Sequence, residues 1–334
     1  MNLQQAFEAR EAVRELAGQA GLTGPPQEGA ALGAAVAVPE NFVSIGIGLT
    51  GEPDTHTLAL RFLDDPLNHC EFIRNAREIA HGVELDIQTI GEIRAIAGCN
   101  GTARVNVPFG IGASIGYRNR TGGGTIGFFA RRKSDGAEGL VSNNHVIALG
   151  DNGKQDEEVV YPSACDGGTL EHDVVAKLQG GYPPLFDGGV KVVDCAFAKF
   201  EGTPPTYDSR ALANGVRLKR RGARLTGRDI VHKIGRTTRQ TTGIVRSVRF
   251  DTIPVTYQQF NGNVVHFAEL IEIESFGPEP FSAPGDSGSL VYDRTGHPVG
   301  LLFADQIGTG RRGFNRHYAI PITNVLTKLG LEIL

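Results

Sequence analysis

The chain has 334 residues, of which 40% are hydrophobic and 21% charged, and it contains 45 glycines and 17 prolines. This composition is typical of a protein of strands and turns and favours an all-β or α+β fold. The net charge of −4, from 33 basic and 37 acidic side chains, excludes a global electrostatic attraction to nucleic acid or to an anionic membrane.

The first predicted element is a helix over residues 3–21, where small and apolar residues recur on one face. The stretch G-L-T-G-P-P then ends the helix, and the small, glycine-rich residues 26–37 are typical of a linker. Residues 1–37 are therefore predicted to form an N-terminal helix and a linker.

A small α+β unit is predicted next. Residues 41–50 and 56–63 alternate in polarity and carry β-branched side chains, which predicts a hairpin across a Gly-Glu-Pro-Asp turn. Asp65-Pro66 then opens a helical pattern of about four turns, and strand-like sequence resumes over residues 83–97. Residues 38–104 are predicted to be one domain of ββαβ order.

From residue 105 onward the chain consists of short strand-like segments separated by glycines, such as GTIGFFA and GLVSNNHVIAL. A helical pattern returns only at residues 320–331. Short strands without alternating helices indicate a barrel or sandwich, and the length of residues 105–334 suits a β protein of two barrels. The fold class is predicted to be mainly β, a double β-barrel preceded by the small α+β domain.

A glycine-flanked serine lies in the stretch F-S-A-P-G-D-S-G-S-L-V, immediately before an apolar strand. Gly285 and Gly288 allow strained backbone dihedrals there, so that the amides of Gly285 and Ser287 can point at one spot. Two such donors form an oxyanion hole, which stabilises the charge of a tetrahedral transition state. Because a serine hydroxyl needs a hydrogen-bonded base to act as a nucleophile, Ser287 predicts a histidine partner elsewhere in the chain.

His145 and Asp194 are the predicted partners. His145 follows an apolar strand in L-V-S-N-N-H-V-I-A-L, and Asp194 is a lone carboxylate in V-K-V-V-D-C-A-F. Because an unpaired buried carboxylate is costly, Asp194 needs a partner such as an imidazole N–H. The order His, Asp, Ser, with spacings of about 49 and about 93 residues, agrees with the chymotrypsin template of about 45 and about 93. Asp173 and Asp187 are alternatives in the same interval, both in polar loop contexts.

A further motif, V-H-K-I-G-R-T-T over Val231–Thr238, matches the strand and turn that begin the second barrel of chymotrypsin-like proteases. With S-N-N-H-V, V-D-C-A, P-G-D-S-G-S and V-G-L-L-F-A in this order, it resembles the trypsin-like serine proteases related to the plant narrow-leaf protein and their bacterial relatives. The resemblance spans about residues 105–334. It implies two β-barrels with a cleft between them and assigns the triad to His145, Asp194 and Ser287.

The sequence thus predicts a serine endopeptidase that works by acyl transfer. His145 deprotonates Ser287, Asp194 holds the imidazole tautomer, the Gly285 and Ser287 amides bind the oxyanion, and water releases the acyl group. No cofactor and no metal are required. The predicted partner is a protein or peptide substrate, with no nucleic acid and no membrane, and the first 104 residues are candidates for regulation, substrate recruitment or assembly of a homo-oligomer.

The substrate pocket is predicted from positions around the nucleophile. Phe281 stands six positions before Ser287, where proteases that cut after arginine or lysine carry an acid. A small or apolar residue before the scissile bond is therefore favoured, although Asp305 could reverse this by placing a charge at the pocket mouth. The candidate substrate-binding residues are Phe281, Ser282, Leu302, Phe303 and Ala304.

Two other functions stay open from the sequence. An α/β-hydrolase esterase would use Ser287, then Asp293 or Asp305, then His317, but position 289 is serine where the G-x-S-x-G elbow has glycine. A catalytically silent protease-like module could bind peptides by adding a strand to a sheet edge. Other histidines are expected to be structural or exposed: His172, His232, His266, His297 and His317.

The cysteines and the N-terminal residues bear on cellular location. Cys70, Cys99, Cys165 and Cys195 lie without a C-x-x-C pair or the spacing of a metal site, so we expect reduced, partly buried thiols. The N-terminal residues contain no continuous apolar run typical of a secretory signal, and no stretch approaches the roughly 18 apolar residues of a membrane span. The sequence predicts a cytoplasmic location as the default.

Overall fold

The computed structural model describes residues 1–23, 41–96, 98, 108–120, 122–307 and 316–334. Within these ranges the chain forms four α-helices and twenty β-strands arranged in two sheets. The predicted linker, residues 26–37, lies outside the described ranges. None of the helices in the described part of the chain has both the length and the apolar character needed to cross a bilayer.

The N-terminal elements are a β-hairpin covered by two helices. A capping box starts the first helix: the amide of Gln5 donates to the side chain of Asn2, and the Gln5 side chain accepts from the Asn2 amide. The buried face of this helix packs against the hairpin and the second helix. The elements are α1 (Leu3–Gln19), β1 (Val43–Leu49), β2 (His56–Phe62), α2 (Cys70–Ile79), β3 (Asp86–Thr89) and β4 (Ile93–Ala95).

The first of the two large β units is a curled half-barrel. Its strand order is β20-β7-β8-β11-β10-β9-β5-β6, so the last strand of the chain closes one edge. Its elements are β5 (Ser114–Tyr117), β6 (Gly124–Thr125), β7 (Phe128–Arg132), β8 (Glu138–Ser142), α3 (Asn144–Ile147), β9 (Glu158–Val160), β10 (Val174–Leu178), β11 (Ala196–Phe200) and β20 (Leu331–Ile333).

The second β unit closes into a barrel of six strands, because each strand of the ring β12-β13-β16-β19-β18-β17 pairs with the next and β17 returns to β12. A hairpin of β14 and β15 accompanies it. The elements are β12 (Ile230–Gly235), β13 (Arg239–Val248), β14 (Ile253–Tyr257), β15 (Asn263–Phe267), β16 (Ile271–Ser275), β17 (Leu290–Asp293), β18 (Pro298–Gln306), β19 (Arg316–Pro321) and α4 (Ile322–Leu329).

The N-terminal hairpin is continuous with the second barrel. β1 pairs antiparallel with β13, with Ile47 opposite Val248. Arg61 of β2 is fully buried, and its guanidinium lies 2.7 Å from both Asp86 Oδ2 and Glu272 Oε2 of β16. Burial would raise the pKa of Glu272, but the Arg61 charge lowers it to about 2, so the pair stays ionised.

Two predicted elements differ in detail. The helix predicted from Asp65 begins as a 3₁₀ turn over Pro66–His69 before α2 starts. The single strand predicted over residues 83–97 is two short strands, because the chain crosses between two sheet edges. β3 runs parallel to β2, whereas β4 runs antiparallel to β18 and parallel to β14.

The cysteines differ from the prediction in one respect. Cys70 and Cys195 are free, the first exposed and the second buried, and Cys99 lies outside the described residues. Cys165 is disulfide-bonded, so the prediction of a reduced thiol is wrong at this position; spacing along the sequence does not report which cysteines approach in space. The predicted fold class is confirmed: the chain is mainly β, a chymotrypsin-like double β-barrel with a small helical and stranded unit before it.

Candidate active site

The three predicted triad residues come from both β units. His145 lies in α3, directly after β8, and Asp194 lies just before β11, whereas Ser287 precedes β17 of the closed barrel. His145 Nε2 is 2.9 Å from Ser287 Oγ, and His145 Nδ1 is hydrogen-bonded to Asp194 Oδ2. The imidazole therefore bridges the hydroxyl and the carboxylate, which is the geometry in which a base can accept the serine proton.

Asp194 is fully buried, and hydrogen-bond donors surround it. The His145 amide donates to its Oδ1 at 3.2 Å, and the Tyr257 hydroxyl donates to its Oδ2 at 2.8 Å. The side-chain amide of Asn143 donates to the Asp194 backbone carbonyl at 2.6 Å. The bonds to Oδ1 and Oδ2 compensate for burial of the carboxylate and fix it relative to the imidazole, and the bond from Asn143 holds the backbone at Asp194.

Tyr257 was not predicted from the sequence. It lies at the end of β14, far from the triad motifs in the chain, so no local pattern identifies it. Burial, and then the Asp194 charge, raise the pKa of Tyr257 well above its usual value of 10.0, so the phenol stays protonated and acts as a donor. The same two causes raise the pKa of the buried Cys195 thiol, which keeps this neighbour of Asp194 unreactive.

Two glycines shape the turn around Ser287. Gly285 has φ 101° and Gly288 has φ 90°, both in the left-handed region that favours glycine. A Cβ on Gly288 would collide with the Ser142 hydroxyl and the Thr125 carbonyl oxygen. Ser287 itself is locked against the first sheet, because the Thr125 amide donates to its carbonyl at 2.8 Å.

The Asp286 side chain, next in the chain to Ser287, is held by an internal cation. Its Oδ2 lies 3.1 Å from Lys233 Nζ of β12, and both side chains are fully buried. The amides of Thr237 and Thr238 donate to Oδ1 at 2.8 and 3.2 Å. Sequence reasoning missed Lys233, although it lies inside the K-I-G-R-T-T motif, because the motif alone does not indicate which way the side chain points.

One of the two predicted oxyanion donors already makes a hydrogen bond within the chain. The Gly285 amide donates to the carbonyl of Ile96 at 2.8 Å. The Ser287 amide has no hydrogen-bond acceptor among the described residues. Ile96 comes from the N-terminal part of the chain, and its amide donates to the Phe303 carbonyl at 3.1 Å. The sequence did not suggest any residue before 105 as a neighbour of the nucleophile.

The predicted pocket residues lie on β18 and on the segment before Ser287, and all are buried: Phe281, Ser282, Leu302, Phe303 and Ala304. The Phe303 carbonyl is 3.4 Å from Ser287 Oγ. Asp305 does not present an isolated charge, because the Ser282 hydroxyl donates to its Oδ1 at 2.6 Å and His317 Nδ1 lies 2.8 Å from the same atom.

Residues considered as alternatives lie elsewhere. Asp173 accepts hydrogen bonds from Thr169, and Asp187 pairs with Lys191. His317 is buried against Asp305, Ser282 and Ser275. The arrangement needed by an esterase, with His317 on Ser287, is therefore not formed.

Comparisons with known proteins give structural neighbours only. No family model matches the sequence, and no match is found among curated proteins. Protease A of Thermobifida fusca is 19% identical with a TM-score of 0.45. Chymotrypsin of Cellulomonas bogoriensis is 17% identical with a TM-score of 0.43, and the Nocardiopsis protease is 17% identical with a TM-score of 0.44. Each alignment covers 68% of this chain and 99% of the other. These neighbours are bacterial serine proteases.

Proposed function

We propose that this chain is a serine endopeptidase that uses His145, Asp194 and Ser287 as a catalytic triad. Ser287 Oγ attacks a peptide carbonyl while His145 Nε2 takes its proton, and the imidazolium then protonates the leaving amine. Water, deprotonated by the same histidine, releases the acyl group. Asp194 holds the imidazole with Nε2 toward the serine throughout.

One observation carries this proposal. His145 Nε2 lies 2.9 Å from Ser287 Oγ while Nδ1 is bonded to a buried carboxylate. His317 also lies between a serine and an aspartate, but only in the case of His145 does the serine stand in a turn flanked by the positive-φ glycines Gly285 and Gly288. The Gly285 and Ser287 amides, on the turn that carries the hydroxyl, supply the donors for the oxyanion.

We further propose that the enzyme belongs to the trypsin-like proteases related to the plant narrow-leaf protein and that it prefers an apolar residue before the scissile bond. The motifs of residues 105–334 support the first point. The preference for an apolar residue is supported by the burial of Phe281. It is also supported by the bonds that Ser282 and His317 make to Asp305, because these bonds occupy the carboxylate that would otherwise attract a cationic side chain.

The experiment is active-site labelling with turnover. A fluorophosphonate probe is expected to label the full chain, and labelling should disappear in Ser287→Ala and persist in Ser134→Ala, which changes an exposed serine in the turn between β7 and β8. Cleavage of a peptide library should likewise disappear in Ser287→Ala and persist in Ser134→Ala. A labelled protein that hydrolyses esters and no peptides would favour an esterase, and a protein that does neither would be a silent protease-like module.

For the cellular location we keep the cytoplasm as a proposal from the sequence. The disulfide bond of Cys165 argues in the other direction, because disulfides persist mainly in oxidising compartments. Fractionation of cells expressing the tagged full chain would decide between the two.

A further inference from the structure

An extended piece of the N-terminal part of the chain lies along the sheet edge beside the nucleophile. β17 pairs with β18 only as far as Leu301, so the edge of β18 beyond that residue is open to another strand. β4 takes this edge in antiparallel register, with Ala95 opposite Ala304. Addition of a strand to a sheet edge is a general way in which proteins bind extended peptides.

Ile96, the residue after β4, makes the contacts expected of a substrate residue at the scissile bond. Its amide donates to the Phe303 carbonyl at 3.1 Å, beside Ser287 Oγ. Its carbonyl accepts from the Gly285 amide at 2.8 Å. A peptide attacked by Ser287 must place its reacting carbonyl oxygen at the Gly285 amide, so Ile96 occupies the position of the residue before the scissile bond.

The Ile96 side chain fits an apolar pocket. It is 3% exposed and belongs to the buried apolar cluster that contains Phe281 and Leu302, two of the predicted pocket walls. Upstream, Ile93 and Ala95 are also buried, whereas the Arg94 side chain is 38% exposed. Ile93 and Ala95 therefore lie on the strand face toward the protein and Arg94 on the opposite face, while Ile96 beyond the strand is buried in the pocket.

We propose that residues 93–96 are an intramolecular ligand of the site and occupy the positions of the substrate residues that precede the scissile bond. The inference rests on the proposed function and adds two statements to it. The full chain keeps its own channel filled, and the peptides that compete for the channel are extended, with a β-branched aliphatic residue in the Ile96 position. A tethered segment competes at an effective concentration on the order of mM, so external peptides bind weakly until it leaves.

The test measures binding in a chain that cannot turn over substrate. A fluorescein-labelled Ile-Arg-Ala-Ile amide, a copy of residues 93–96, is titrated into full-length Ser287→Ala and followed by fluorescence anisotropy. Adding Ile96→Asp places a charge in the apolar pocket and should release the segment, so that the peptide binds at least about tenfold more tightly. The matched control is Ile87→Asp in the same background, because Ile87 lies in β3 of the same unit and packs with the N-terminal cluster instead.

A second variant covers the case in which Ile96→Asp does not fold. Ile96→Ala removes only part of the side chain and should give a smaller gain in affinity, with Ile87→Ala as its control. Circular dichroism identifies the folded variants. The inference is wrong if a folded Ile96 variant binds the peptide no better than the Ser287→Ala parent, or if the Ile87 control gains as much. The readout is binding by a chain without a nucleophile, so it does not depend on catalysis. Failure of labelling both in the native chain and in Ile96→Ala, where the segment is loosened, would count against the proposed function alone.

Discussion

The buried Asp194 carboxylate accepts hydrogen bonds from donors in two directions. The His145 amide and Nδ1 approach from the half-barrel, and the Tyr257 hydroxyl approaches from the hairpin that accompanies the closed barrel. Tyr257 is a positioning residue, because its hydroxyl bonds to the carboxylate and its ring packs edge-on against the His145 imidazole at 5.6 Å between centroids. Removing the Tyr257 hydroxyl should therefore make the orientation of the imidazole less well defined.

Tyr257→Phe should therefore lower kcat about tenfold and leave KM nearly unchanged, because a hydrogen bond to a charged group contributes roughly 1.5–3 kcal/mol and part of this is recovered by relaxation. Steady-state kinetics on one peptide substrate measures the split. Tyr292→Phe is the control, since Tyr292 is a buried tyrosine of β17 whose ring lies against His232. An equal loss in both variants would mean that Tyr257 acts only through stability.

Lys233 is expected to stabilise the turn that carries Ser287 through its ion pair with Asp286. Lys233→Met leaves a fully buried carboxylate without its cation, which costs about 3–5 kcal/mol in comparable pairs. Urea denaturation of Lys233→Met, Asp286→Asn and the double variant gives the coupling free energy. Neutralising both partners should recover much of the loss, and strictly additive losses would contradict a direct pair.

At the scale of elements, Asp251 links the N-terminal hairpin to the barrel. The Ile45 amide of β1 donates to its Oδ1 at 2.8 Å, and its own amide donates to the Ile45 carbonyl at 2.8 Å. Burial raises the pKa of Asp251 to about 6 from a usual 3.8, against the lowering effect of hydrogen bonds from Ile45 and Thr252. Burial of Asp251 thus favours the neutral carboxyl over the ionised one more than water does.

This shift predicts a pH dependence of stability. Since the folded pKa of Asp251 lies above the unfolded value, its contribution favours folding below pH 3.8 and is lost as pH rises through about 6. Asp251→Asn keeps the acceptor oxygen and does not titrate, so it should gain stability relative to the native chain between pH 4 and 7. Thermal unfolding across this range measures the gain, and Asp208→Asn, at an exposed aspartate, should show no such rise.

For the whole molecule, the sequence predicts what local patterns encode. The glycine turn identifies Ser287. The order His145, Asp194, Ser287 and the spacing between these residues then identify the other two. The short glycine-punctuated strands predict the confirmed double barrel. Tyr257 and Lys233 escape prediction because their partners are set by strand register across the sheets, which no single segment specifies.

The same limit explains the N-terminal part. Residues 83–97 have a strand pattern, but the pattern does not report that β4 leaves β3 and pairs with β18 beside the nucleophile. The linker-like sequence before it and the separate ββαβ pattern suggest an independent domain. The sequence pattern does not report that the hairpin pairs with β13 of the barrel or that the fully buried Arg61 pairs with Glu272.

This continuity predicts that the N-terminal hairpin and the closed barrel open together. Arg61→Met should leave Glu272 buried without its cation and lower stability by about 3–5 kcal/mol. Hydrogen exchange should then accelerate by the same factor in β2 and in β16, because both strands lose the same pair and belong to one sheet. Arg74→Met, at an exposed arginine of α2, should leave both rates unchanged. Faster exchange confined to β2 would show instead that the hairpin opens by itself, and the segment at residues 93–96 would then be carried by a unit that can leave the barrel on its own.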